Sequence, residues 1–162
     1  MIPSMMLIIP QFVLTKQLHL IDNRWALVLF YVSGNLALNT FLLRSFFEGI
    51  PRELDEAMEV DGANVWTRYW RLAMPLARPA LATTVIFTFL ATWDEFAWAL
   101  TVISTETKRT LPIAIQLFHG QNSTQWGLVF AASLIAILPV IVVYLIFQRH
   151  FVAGLTAGAV KG

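Results

Sequence analysis

Cysteine is absent from this chain of 162 residues. Its absence excludes disulfides, thiolate nucleophiles and cysteine-ligated metals. Charge is scarce: only 13% of residues are Asp, Glu, Lys or Arg, roughly half the ~25% usual in a soluble domain. The net charge of +1 builds neither the basic surface of a nucleic-acid binder nor an acidic tail. The three histidines, His19, His119 and His150, are scattered at segment ends and form no metal or catalytic group. No GxxxxGK[ST] loop and no Ser/His/Asp constellation is present, so the chain does not hydrolyse nucleotide by itself and no cofactor is expected. Met1 leads into apolar residues without the basic stretch of a signal peptide. There is no internal repeat.

What is abundant is apolar surface. Hydrophobic residues make up 57% of the chain and mean hydropathy is +0.66, which points to an all-α integral membrane protein. Four stretches approach the ~20 apolar residues that cross hydrocarbon. They are residues 1–18, 25–47, 80–103 and 126–147. Pro3 and Pro10 predict a kinked first span. Ser33, Gly34, Asn35, Asn39 and Thr40 in the second suit close packing and interhelical hydrogen bonds. Residues 104–125 form a polar connection with an apolar insert at 111–118. A Gly- and Ala-containing tail follows from Gln148, where Gly154 and Gly158 give only a weak helix-pairing signal outside any long apolar run.

The longest stretch with charges throughout is residues 51–79. It reads as two short amphipathic helices meeting at a turn. Pro51 suits the first helical position, and Glu53, Asp55 and Glu56 favour the positive end of the helix dipole. Gly62 supplies the left-handed turn, Asn64 caps the second helix, and Pro75 and Pro79 are expected to stop it. An amphipathic connector lying on lipid is one reading of the pair. The acidic first helix favours another, a basic groove on a partner, because anionic lipid repels carboxylates.

The spacing sharpens this. Glu56-Ala57-Met58, three residues, Gly62, nine residues and Leu72-Ala73-Met74-Pro75 occur in that order. This pattern resembles the "EAA" loop of bacterial binding-protein-dependent ABC transporter permeases. Ile50-Pro51-Arg52-Glu53-Leu54, Asp61-Gly62-Ala63, Met74-Pro75-Leu76, Arg78-Pro79-Ala80, Trp93-Asp94-Glu95-Phe96 and the terminal Gly154–Gly162 motif are similar to the carbohydrate-uptake branch, the MalG-like subunits. Met58 replaces the usual second alanine, and Asp94 stands where asparagine is commoner. The resemblance implies four transmembrane helices here, a MetI-like permease core that lacks the family's first two of six. Residues 1–162 would be one partial permease domain, with 51–79 as its cytoplasmic ATPase-coupling loop through Glu56, Ala57, Asp61, Gly62, Leu72, Met74 and Pro75. Implied partners are an ABC ATPase dimer, a second permease subunit, an extracytoplasmic solute-binding protein and the lipid membrane. The implied activity is ATP-driven import of sugars or sugar-like solutes across the bacterial inner membrane.

With four crossings, Arg44, Arg52, Arg68, Arg71, Arg78, Arg149 and Lys161 share the loop side, while Lys16, Arg24, Lys108 and Arg109 lie opposite. The basic excess marks the loop side, and with it the C-terminus, as cytoplasmic. Asp94 and Glu95 fall within the expected third span, where a charge costs about 2.5–3.5 kcal/mol. On a helix they diverge by ~100°. With Trp93 and Phe96 they either line a substrate path or make interhelical contacts. Because the resembled branch often carries asparagine at position 94, Glu95 is expected to be the structural carboxylate and Asp94 to tune substrate. An ion-coupled secondary transporter half or a non-transporting remnant are the rival readings. The topology is open to test in a chain without native cysteine. Asn122→Cys in the 104–125 connection should be labelled by an impermeant thiol reagent from outside intact cells. Labelling only after lysis would overturn the orientation.

Overall fold

The computed structural model describes residues 3–120 and 123–159, the side chains of Ser4 and of residues 149–159 excepted. Asn122 and Lys161 therefore lie outside the described residues, as do the side chains of Arg149 and His150. The described residues are helical, without a strand. A 3-10 turn, Ser4–Leu7, leads into α1, Ile8–Gln17. Then follow α2, Arg24–Glu48, α3, Arg52–Val60, and α4, Val65–Arg68. A π-helical turn, Tyr69–Ala73, carries α4 into α5, Met74–Trp93. Next come α6, Ala97–Val102, α7, Leu111–Gln116, and α8, Trp126–Ala159.

Among the described residues, three helices are long and apolar enough to cross a membrane: Arg24–Glu48, Val65–Trp93 and Trp126–Gln148. The expected first span, residues 1–18, holds the four-residue 3-10 turn and the ten-residue α1, shorter than those three. The expected third span, 80–103, is corrected. Its helix starts earlier, at Val65, and breaks at Asp94–Phe96. Pro75 and Pro79 do not stop it. At the π turn the Met74 amide donates to the Tyr69 carbonyl, five residues back. That wider register lets Pro75, which has no N–H, follow as the second residue of α5. The tail after Gln148 also differs from expectation, since the backbone of α8 stays helical to Ala159.

The chain forms two compact units. The first comprises residues 1–35 and 90–141. Its core gathers Ala26 and Leu27 of α2, Trp98, Ala99 and Val102 of α6, Ile103, and Ile113 of α7. Ala26 and Ala99 are fully buried, and such small residues let helix backbones approach closely. Phe30 meets the edge of Trp98 with ring centroids 4.6 Å apart. Ile113 shows that the 111–118 insert packs in part against this core rather than standing free.

One end of this unit is strapped by Asp22. The α1 helix ends with His19 in the left-handed region, φ 55°, its amide bonded to the Lys16 carbonyl and that of Leu20 to Thr15. Asp22 repeats the left-handed conformation at φ 56°, which aspartate tolerates better than most residues. Its carboxylate accepts the amides of Ser104 (2.9 Å) and Thr105 (2.8 Å), the Thr105 hydroxyl (2.6 Å) and the Lys108 ammonium (2.8 Å). Local sequence carries no sign of this strap, because the partners of Asp22 lie more than 80 positions away.

The second unit comprises residues 36–89 and 142–162. Within it Asn39 of α2 donates to the Thr88 hydroxyl of α5 at 2.8 Å, the interhelical bond its amide predicts. Ala77, Ala82, Thr84 and Ile86 are its buried α5 positions.

Lys108 first, then the hydroxyl and amide of Thr105, hold the Asp22 carboxyl well below the usual carboxylate range. A depressed folded-state pKa stabilises fully above the ordinary value of 3.8 and is lost as pH falls below it. Asp22→Asn should therefore lower the detergent melting temperature by a constant amount between about pH 7 and 5, with the gap to wild type narrowing under stronger acid. A gap that widens on acidification would contradict the strap.

Candidate functional site

The loop is built from its turn outward. The α3 helix begins after Pro51, one residue later than expected, with Glu53 and Asp55 in its first turn. Gly62 has φ 78°, a conformation that costs an L side chain about 1–2 kcal/mol. The Gly62 amide bonds the Glu59 carbonyl at 2.9 Å and the Ala63 amide bonds Met58 at 2.9 Å. This pair of bonds satisfies two terminal carbonyls of α3 at once, in a Schellman turn. Asn64 then caps α4, its side-chain oxygen accepting the Thr67 amide at 2.8 Å.

Arg68 joins the two helices. Its guanidinium bonds the Glu59 carboxylate and lies 3.4 Å from that of Asp55. The arginine side chain is only 19% exposed, yet both acids are open to solvent, so the clamp sets geometry more than stability, on the order of 1 kcal/mol or less. Asp55 and Glu59 are thereby committed to Arg68. Glu56, next to Asp55 and three residues before Glu59, is exposed and has no side-chain partner among the described residues. Ala57 and Asp61 are exposed beside it, and Asp61 is the last residue before the Gly62 turn. Leu72 and Met74 are half-buried and Pro75 is exposed, where the π turn passes into α5. Trp66, Tyr69 and Trp70 form an exposed ladder with centroid spacings of 6.2 and 4.9 Å.

The second group, in the other unit, stands at the helix break. Trp93 is the last residue of α5, and its indole N–H donates to the Ala136 carbonyl of α8 at 3.1 Å. Asp94 is exposed. Glu95 is half-buried and its carboxylate accepts the amides of Trp98 at 2.7 Å and Ala99 at 3.0 Å, and the Tyr31 hydroxyl at 2.9 Å. Phe96 packs on the core around Trp98. The ~100° divergence expected of two adjacent helical carboxylates does not apply, because neither lies in a helix. Among the described residues no cluster of His, Asp and Glu could hold a metal ion.

Two contributors escaped sequence reading. Arg68 figured only among the basic residues of the loop side, although Asp55 and Glu59 at i, i+4 offer one face to a shared partner. Tyr31 carried no signal at all, since its bond to Glu95 spans 64 residues.

A helical membrane protein with an acidic helix–turn–helix and a broken span is thus in view, and comparison places it. Residues 1–157 match the family model described as "Binding-protein-dependent transport system inner membrane component". The chain belongs to that family, whose members are membrane transport components rather than enzymes. Curated relatives include the sulfoquinovosyl glycerol transport system permease protein SmoH of Agrobacterium fabrum, 39% identical over 99% of this chain and 56% of the relative. The trehalose/maltose transport system permease protein MalG of Thermococcus litoralis is 37% identical over 100% and 59%. The trehalose transport system permease protein SugB of Mycobacterium tuberculosis is 37% identical over 100% and 60%. The chain therefore spans a little over half the length of these relatives.

The turn geometry has a direct test. Asn64→Ala removes the cap, a loss of about 1 kcal/mol, and should speed amide exchange at Thr67 about fivefold. Asn64→Ser should restore protection. Equal exchange in all three proteins would show that the cap is idle.

Proposed function

We propose that this chain is a permease subunit of an ATP-driven importer of sugars or sugar-like solutes, and that residues 51–79 are its cytoplasmic coupling loop. The observation that carries the reading is the division of charge on α3. Asp55 and Glu59 are bound to Arg68, while Glu56 remains open beside the Gly62 turn. A rigid, acidic, solvent-facing helix suits a basic groove on a partner protein better than anionic lipid.

The partner is an ABC ATPase dimer. Closure of its subunits around ATP pushes on α3, and the Arg68 clamp transmits the push into α4 and the long helix ending at Trp93. The energy of transport comes from that dimer, because this chain has no phosphate-binding loop. A second permease subunit completes the translocation path, and an extracytoplasmic solute-binding protein delivers the substrate. The relatives serve transport systems for sulfoquinovosyl glycerol, trehalose/maltose and trehalose, which supports a glycoside or sugar as cargo. Substrate recognition falls to Trp93, Asp94, Glu95 and Phe96, with Asp94 as the acid open to hydrogen-bond sugar hydroxyls and the aromatic residues offering ring faces.

Charge reversal at the loop tests the reading. Glu56→Lys and Gly62→Leu should each abolish co-purification of the ATPase while leaving membrane insertion intact. The first reverses the docking charge, and the second forces a side chain into a left-handed turn. ATPase recovered at wild-type yield with both variants would sink the docking assignment.

A further inference from the structure

We propose that Tyr31 and Glu95 are positioning residues that hold the broken stretch at Asp94–Phe96, so that Asp94 is the acid this break presents. For substrate contact by Asp94 the inference rests on the function proposed above; the geometry stands apart from it.

A helix that starts inside a membrane protein exposes amide groups with no carbonyl one turn back. Trp98 and Ala99 are buried from water, and a buried amide left unsatisfied is costly. The α6 helix begins at Ala97, with three residues between it and the end of α5. Glu95 supplies what its first turn lacks. One carboxylate oxygen accepts the Trp98 amide at 2.7 Å, and the other accepts the Ala99 amide at 3.0 Å. The second oxygen also accepts the Tyr31 hydroxyl at 2.9 Å, which ties the cap to α2. This single side chain therefore binds the break to α6 and to α2 at once.

The other flank is held independently, by the 3.1 Å bond from Trp93 to Ala136 of α8. Asp94 lies between these two anchored neighbours. It is exposed and has no side-chain hydrogen bond or ion pair among the described residues. The two adjacent carboxylates are consequently not equivalent. Glu95 is consumed by the backbone, whereas Asp94 keeps its full acceptor capacity. Charge-assisted bonds to backbone amides are about twice as strong as neutral ones, so Glu95 resists substitution even by its amide.

The test uses the full chain in lipid nanodiscs, with no ATPase and no sugar, so its outcome is separate from that of ATPase docking. Hydrogen exchange at Trp98 and Ala99 is compared among wild type, Glu95→Ala, Glu95→Gln and Tyr31→Phe. Glu95→Ala should lose about tenfold protection at these two amides. Glu95→Gln, which keeps an acceptor oxygen, should lose less, and the central α8 amides should be unaffected in both. Tyr31→Phe should leave Trp98 and Ala99 within about twofold of wild type. On an Asp94→Cys background, however, it should change the rate of labelling by a small hydrophilic thiol reagent by about threefold or more. Unchanged exchange in both Glu95 variants, or unchanged labelling in Tyr31→Phe, overturns the proposal. A uniform loss of protection reaching α8 also overturns it, because that marks general destabilisation. If Glu95→Ala does not insert, Glu95→Gln and Tyr31→Phe decide the matter.

Discussion

Hydrocarbon leaves no backbone polar group to water, and the rest of this structure depends on that constraint. Where α2, α5 and α8 run uninterrupted, each helix satisfies itself. Where the chain departs from regular helix, a side chain or a shifted register has to supply the missing partner. The break after Trp93 is tolerated because the Glu95 carboxylate takes two amides of α6. The proline at position 75 is tolerated because a π turn precedes it and moves the donor that the helix cannot have. Both devices lie in stretches to which the proposed function assigns work, one beside the substrate path and one between coupling loop and span.

The loop follows a related logic at its exposed surface. Its turn is specified by Gly62, its second helix by Asn64, and the angle between them by Arg68 gripping two acids of α3. None of these contacts is strong alone, since exposed ion pairs and caps each contribute on the order of 1 kcal/mol. Together they restrict a short segment to one shape, which is what a mechanical coupling element requires. A loose connector would absorb a partner's movement instead of passing it to the attached helix.

Asp22 performs the corresponding task on the first unit. It satisfies the amides of an irregular connection and neutralises Lys108 there. Three committed acids, Asp22, Glu59 and Glu95, each meet a partner in another segment, at separations from three to 86 residues. The acids proposed to work, Glu56 and Asp94, are among those without such a partner in the described residues.

What the sequence alone determined is the class of the protein. Apolar runs near membrane length, little charge, no catalytic constellation and the ordered motifs from Glu56 to Pro75 led to a helical permease, and the family match agrees. The left-handed Gly62 and the Asn64 cap were legible as well, because turns and caps depend on residues a few positions apart. Only the tertiary structure decided where the helix of the expected third span begins and breaks, which groups commit Glu95, and what Tyr31, Arg68 and Asp22 do. Composition cannot tell a helix that passes through proline from one that stops at it, since the outcome turns on hydrogen-bond register. Nor can it divide two adjacent acids such as Asp94 and Glu95. The group that distinguishes them, Tyr31, reaches Glu95 through space from a helix 64 residues away.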